Sequence, residues 1–167
     1  MRVLVKLFNC DQTATDGSRI PRSVVEAYLN SPKYKESIEK GMVNGGITHE
    51  NRVLPEESGL KGTIGRDDNM LRCDNITHVV ESIYLDGDDV MAVARILDES
   101  SMDAGSAEKI KKLKGLIGNG VLLPISAVIS AYWSANEIAE ELVAIKGMDF
   151  TMNPSFSGAG VLKVVEE

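Results

Sequence analysis

The chain has 167 residues, of which 43% are hydrophobic and 26% charged, and its formal net charge is -7. This length and apolar content predict one domain, residues 1–167, with its own buried core. The acidic balance argues against a nucleic-acid-binding protein, because contact with the phosphate backbone requires a basic stripe that the sequence lacks.

Other classes of protein are disfavoured by residue content. The sequence has no apolar run of about 18 residues and no leader pattern, so we expect a soluble cytoplasmic protein without a membrane partner. The two cysteines, Cys10 and Cys73, lack metal-binding spacing and predict free thiols in a reducing compartment. We expect neither a metal nor a cofactor.

The first elements follow from local signals. Residues 2–9 predict a strand, and the DQTATDGS that follows is typical of a turn. A helix is predicted to open at Ser18 or Pro21, to be interrupted at Pro32 and to resume over residues 34–42.

A single histidine follows in the glycine-rich segment GMVNGGITHENR. Its three glycines predict tight backbone turning that presents His49 from a short strand or loop, although an exposed loop histidine without a role fits the same pattern. Residues 51–75 are polar and punctuated by proline and glycine, which predicts a long surface excursion.

The clearest strand pair is a hairpin. Residues 76–85 and 90–97 predict two strands joined by DGDD, an Asp-Gly turn signal. If His78 and Asp98 share a sheet face, they lie across from each other or on a diagonal. Such a pair could orient a catalytic group or could be an ordinary cross-strand polar pair.

A helix is predicted over residues 101–118, capped by Ser101 or Asp103. Four lysines in its C-terminal half suit the helix dipole and predict a solvated face. After the strand that contains Ser126 and Ser130, the sequence predicts a short acidic helix over residues 136–143. A strand, a Pro/Ser/Gly turn and a last strand are predicted to follow.

Two serines interrupt an otherwise apolar, strand-forming run, residues 119–133. Period-two geometry puts Ser126 and Ser130 on the same face, and four residues at about 3.3 Å each separate them by roughly 13 Å. At most one can therefore share a hydrogen bond with a given imidazole and act as nucleophile. Alternatively, both hydroxyls bond backbone or water on a half-exposed strand.

Four ordered segments, within about residues 41–164, resemble the prohead core proteases, the head-maturation serine peptidases of tailed phages. NGGITHEN resembles the segment that carries the catalytic histidine. NITHVVESIYLDGDDVMAVARILDESSM resembles the family's strand pair. GNGVLLPIS resembles the nucleophile segment and favours Ser126 over Ser130, and MDFTMNPSFSGA resembles the segment that closes the domain.

The resemblance implies an α+β fold similar to herpesvirus assemblin, with a mainly antiparallel, β-barrel-like core and surrounding helices. It implies a serine endopeptidase with Ser126 as nucleophile, His49 as base and Asp98 as third member. His78 is the alternative third member, since herpesvirus enzymes use a second histidine, and Ser130 is the alternative nucleophile. Backbone N–H groups near Ser126 would bind the oxyanion.

The resemblance also implies partners and a location. The substrates would be phage scaffold, core and capsid proteins, cut inside the prohead in the host cytoplasm, without metal or cofactor, and a homo-oligomer is compatible with this picture. The family prefers to cut after glutamate with an aliphatic residue two positions earlier, so the final VVEE predicts self-cleavage.

The sequence departs from the family pattern after the nucleophile. Ala127, Val128 and Ile129 stand where the family often has Ser-Arg-Gly, which leaves the oxyanion donors unassigned. This departure keeps two alternatives open: a catalytically inactive head-assembly or scaffold-binding protein of the same fold, and a plain binding domain.

Overall fold

A computed structural model describes residues 1–48 and 75–167. The helices are α1 (Arg22–Leu29), α2 (Pro32–Glu39) and α3 (Ala104–Gly118), with a short 3₁₀ turn at Glu99–Ser101. The strands are β1 (Arg2–Asn9), β2 (Asn44–Gly45), β3 (His78–Asp86), β4 (Asp89–Ile96), β5 (Ile125–Trp133), β6 (Ala139–Phe150) and β7 (Gly160–Glu166). His49, Cys73 and nearly all of the predicted surface excursion lie outside the described residues.

The larger sheet has five strands in the order β2-β3-β4-β1-β7, and its ladders are antiparallel. β1 lies between β4 and β7: Val5 pairs with Ala92 on one side and with Val161 on the other. Val3 and Val5 are fully buried, as alternation along a strand with one face on the core requires. The strand predicted at residues 2–9 is confirmed.

The second sheet consists of β5 and β6, which run antiparallel with three register shifts. The extra residues all fall in β6, since each shift skips one residue of that strand. The helix predicted over residues 136–143 is wrong, because most of this segment belongs to β6. Its residues Ala139 and Leu142 are buried against β5, opposite Trp133 and Ala131.

Isolated bridges connect the two sheets at two places: Pro124 pairs with Gly160, and Ile47 pairs with Phe150. The prediction of an α+β fold with antiparallel sheets is thus confirmed. The described part of the chain forms two separate sheets and no closed barrel, so the barrel-like core is not confirmed.

The helices mostly follow the predicted signals. Asp103 caps α3 by accepting a hydrogen bond from the Ser106 amide at 2.7 Å, and the apolar stripe of α3 is buried. α2 begins at Pro32 rather than at residue 34, because proline is favoured in the first helical turn, where its missing N–H costs nothing. No helix among the described residues is long and apolar enough to cross a membrane.

Candidate active site

The predicted nucleophile Ser126 is the second residue of β5, and its exposed fraction is only 4%. It pairs directly with Asp149 of β6. Directly opposed residues of an antiparallel ladder project their side chains to the same face, with Cβ atoms about 4.5–5.5 Å apart. The hydroxyl of Ser126 and the carboxylate of Asp149 therefore share one face of the β5–β6 sheet.

Asp149 is fully buried, which is costly for a carboxylate unless polar partners surround it. Its Oδ1 accepts a hydrogen bond from the backbone N–H of Gly46 at 2.9 Å. Sequence reasoning missed Asp149 as a site residue. The available signal was an acid within the otherwise apolar end of a strand, GMDF.

The chain before His49 lies very close to β6. A Cβ on Gly45 would lie 1.6 Å from the carbonyl oxygen of Met148, and a Cβ on Gly147 would lie 1.7 Å from that of Asn44. Only glycine allows two backbones to approach this closely. The glycine-rich segment was predicted to turn tightly. At Gly45 the glycine instead allows the backbone of β2 to cross close to that of β6.

Beyond this crossing, the segment continues beside the end of β6. The Phe150 amide donates to the Gly46 carbonyl at 3.0 Å, and the Thr48 amide donates to the Phe150 carbonyl at 2.7 Å. The described chain stops at Thr48, so the position of His49 is not part of the described structure. Its role as base stays a prediction.

His78, the alternative third member, is fully buried. Its Nε2 lies 2.9 Å from the carbonyl oxygen of Met148, and its Nδ1 lies 3.0 Å from Oγ1 of Thr77. A carbonyl only accepts, so Nε2 carries the hydrogen and donates it. The ring also packs edge-on against Phe150, with centroids 4.8 Å apart. These contacts tie β3 to β6.

Asp98 lies two residues beyond Ile96, the last residue of β4, which pairs with His78. Its side chain is exposed and accepts a hydrogen bond from the Ser100 amide at 3.0 Å, which lowers the pKa of the carboxyl. The structure thus places Asp98 in a cap at the surface, two residues beyond the strand partner of His78. Its role toward His49 stays a prediction.

Ser130, the alternative nucleophile, is also buried, with an exposed fraction of 6%, and pairs with Ala144. Both serines therefore lie on a buried strand rather than on the half-exposed strand of the alternative interpretation.

The segment after β6, residues 151–159, is here named the active-site loop. It is fastened at both ends to the chain around the start of β5: the Thr151 amide donates to the Pro124 carbonyl at 3.1 Å, and the Ile125 amide donates to the Ala159 carbonyl at 3.2 Å. Within it, Oγ of Ser155 lies 3.5 Å from Oγ of Ser126. The loop therefore borders Ser126.

A groove of about 570 Å³ opens beside this loop. Its walls are α3, the residues before β5, the end of β6 and the start of the loop, including Leu113, Leu116, Pro124, Phe150 and Met152. Lys109 and Lys112 also line it, so two of the four α3 lysines border a cleft and do not serve only as a solvated face. The groove is mainly apolar with positive charge along one wall.

No protein-family model matches the chain, and no curated protein matches it. Among solved structures, its fold is similar to that of the bacteriophage T4 capsid assembly protease, gp21. The TM-score is 0.53 at 14% sequence identity, over 96% of this chain and 79% of that chain. The chain therefore has a fold like that of this phage capsid assembly protease, which agrees with the sequence resemblance at the level of fold.

Proposed function

We propose that this chain is a serine endopeptidase of phage head maturation that cuts scaffold, core and capsid proteins. The carrying observation is the buried pairing of Ser126 with Asp149 in a chain whose fold is similar to a capsid assembly protease. A hydroxyl and a carboxylate on one face of a strand pair supply two of the three groups that a serine protease requires.

Ser126 is the proposed nucleophile and His49 the proposed base. Asp149 is the third group that the geometry favours, because its carboxylate is buried beside Ser126 and is held by Gly46, three residues before His49 in the chain. A buried carboxylate that fixes the tautomer of the imidazole and stabilises the imidazolium is the function of this third group.

The two sequence-based candidates for this third role are less well supported. Asp98 is exposed and engaged in a helix cap. His78 donates its Nε2 hydrogen to a backbone carbonyl and has the Thr77 hydroxyl at its other nitrogen. The proposal therefore takes Asp149 as the orienting group.

The groove supports a polypeptide substrate. It reaches from α3 to Pro124 and Thr151, which flank the strand end that carries Ser126. Its volume of about 570 Å³ is that of a ligand-sized cleft, and its apolar walls suit side chains of an extended peptide. Self-cleavage after Glu166 or Glu167, in the segment VVEE, is a further reaction that we propose.

Labelling with a fluorophosphonate tests the serine chemistry directly. The wild type and Ser130→Ala should each gain one covalent label, located on Ser126 by peptide mass spectrometry, whereas Ser126→Ala should gain none. Both serines are buried in the same strand, which makes Ser130→Ala a matched control. Labelling that follows Ser130 instead would move the nucleophile to that position.

The same proteins should then be incubated with phage scaffold protein. Cleavage by the wild type and its loss in Ser126→Ala are expected. A folded wild type that takes no label and leaves bound scaffold intact would contradict the proposal and favour the inactive head-assembly protein.

A further inference from the structure

A second hydroxyl lies at the nucleophile position. Oγ of Ser155 is 3.5 Å from Oγ of Ser126, at the outer limit of a hydrogen bond, and Ser155 is half-buried. Ser126 is assigned to nucleophilic attack under the proposed function, on which this inference rests. Ser155 has no role in that assignment.

Ser155 is held firmly by its surroundings. Its own carbonyl accepts a hydrogen bond from the Thr15 amide at 2.9 Å. The next residue, Phe156, is buried and packs against Phe8 with ring centroids 5.3 Å apart. These anchors fix the backbone at Ser155, and a fixed backbone limits the reorganisation of its side chain that electrostatic catalysis must avoid.

We propose that the Ser155 hydroxyl donates a hydrogen bond to the oxyanion formed when Ser126 attacks a peptide carbonyl. In that step the Ser126 hydroxyl gives its proton to the general base, its oxygen bonds to the carbonyl carbon, and the π electron pair moves to the carbonyl oxygen. When the intermediate collapses, that pair reforms the C=O bond and the amine leaves with the proton.

The geometry supports this role because the oxyanion is only two bonds from Oγ of Ser126. The Ser155 hydroxyl lies 3.5 Å from Oγ of Ser126. Rotation about its own Cβ–Oγ bond can direct its hydrogen at the oxyanion. The residues that follow Ser126, Ala127, Val128 and Ile129, carry no side-chain donor. The Ser155 hydroxyl supplies a side-chain donor that these three residues lack.

The test uses the full chain and a fluorophosphonate, with the maximal labelling rate (kinact) and the half-saturating concentration (KI) measured separately. Attack by Ser126 forms the O–P bond and moves negative charge onto the phosphoryl oxygen, while the hydroxyl proton passes to the general base. Loss of fluoride then restores the P=O bond. We expect Ser155→Ala to lower kinact about 10²-fold with little change in KI. Ser157→Ala is the matched control in the same loop and should label like the wild type.

A second pair of variants isolates the hydroxyl from any effect on folding. Ser155→Thr and Ser155→Val are nearly isosteric and differ by a hydroxyl in place of a methyl. We expect Ser155→Thr to retain labelling within about tenfold of the wild type and Ser155→Val to fall with Ser155→Ala. A role in packing alone would affect both variants equally.

Four results would overturn the inference. Wild-type kinetics in Ser155→Ala, or an equal loss in the Thr and Val variants, would contradict it while leaving the proposed function intact. Labelling of Ser155 itself, with Ser126→Ala still reactive, would make Ser155 the nucleophile. A wild type that takes no label would overturn the proposed function together with this inference.

Discussion

Ser126 and Asp149 lie directly opposite each other in the β5–β6 ladder, and both are almost inaccessible to solvent. Asp149→Asn should preserve the fold, because the amide oxygen can still accept from the Gly46 N–H. Turnover should fall about 10⁴-fold, since an amide favours the wrong imidazole tautomer. Steady-state cleavage of scaffold protein, with circular dichroism to check folding, measures this.

Asp98→Asn is the comparison variant for that prediction. Its side chain is exposed and caps a short 3₁₀ turn, and an asparagine caps nearly as well. We therefore expect the turnover of Asp98→Asn to lie within about twofold of that of the wild type. If Asp98→Asn is inactive and Asp149→Asn active, the third member assigned by sequence resemblance is right and the structural assignment is wrong.

The Gly45 crossing gives a prediction about stability. Gly45→Ala would place a methyl group 1.6 Å from the Met148 carbonyl oxygen, so β2 must move away from β6. We expect a loss of about 3 kcal/mol or more in the free energy of unfolding, measured by urea denaturation. Activity should fall too, because the displaced Gly46 amide no longer holds Asp149.

Gly115→Ala is the control for that experiment. Gly115 lies on the exposed side of α3, and a methyl group added there would meet nothing within 4 Å. An alanine in a helix interior is favoured over glycine by about 1 kcal/mol, so this variant should be slightly more stable. Equal stability losses in both glycine variants would contradict the close-crossing argument.

His78 is predicted to stabilise the fold and not to act in catalysis. His78→Phe removes two buried hydrogen bonds and leaves the Met148 carbonyl without this donor, at a cost of about 2 kcal/mol or more. Thr77→Val removes one of them and should cost about 1 kcal/mol. Urea denaturation measures both changes.

Turnover per folded molecule separates this role from a catalytic one. It should remain within a few-fold of the wild type in both variants. A well-folded but inactive His78→Phe would instead support a Ser-His-His triad.

Cys10 gives a prediction about pH. Burial first, and then the charge of Asp88, raise the pKa of its thiol from 9.0 to about 11. The folded protein therefore holds the thiol proton more tightly than the unfolded chain does. The resulting contribution of Cys10 to the free energy of unfolding is complete below about pH 9 and is lost as the pH rises through about 11. The difference in unfolding free energy between wild type and Cys10→Ala should follow this window.

Alkylation rates provide a second measure for the same thiol. In a Cys73→Ser background, iodoacetamide at neutral pH should modify Cys10 much more slowly than it modifies the unfolded chain, since the thiolate is the nucleophile. Equal rates in the folded and unfolded protein would show that Cys10 is neither buried nor shifted in pKa.

Elements with strong local signals were predictable from the sequence. The β3–β4 hairpin follows from its Asp-Gly turn, with Gly87 at a φ of 60°, and α3 follows from the Asp103 cap and its apolar stripe. Residues 136–143 were wrongly predicted to form a helix, because their sequence NEIAEELV consists largely of good helix formers. Pairing with β5 overrides that propensity, and the extra residues in β6 hide the period-two pattern.

The candidate site was only partly predictable for a related reason. Ser126 stood out as a hydroxyl in an apolar run, and the resemblance favoured it over Ser130. Asp149 did not stand out, because its position opposite Ser126 depends on a register between strands that no local pattern encodes. The pairing of His78 with Ile96 agrees with the predicted shared face, but Asp98 lies beyond the end of β4, where its side chain caps a surface turn.

The position of β1 between β4 and β7 constrains when this protein can finish folding during its synthesis. β1 leaves the ribosome before the other strands, yet its second neighbour is β7, so one edge stays open until residues 160–166 have been translated. Ala159 and Gly160, at the start of this late segment, complete the surroundings of Ser126 through the Ala159 carbonyl and the Pro124–Gly160 bridge. The surroundings of Ser126 are therefore incomplete while most of the chain is still emerging.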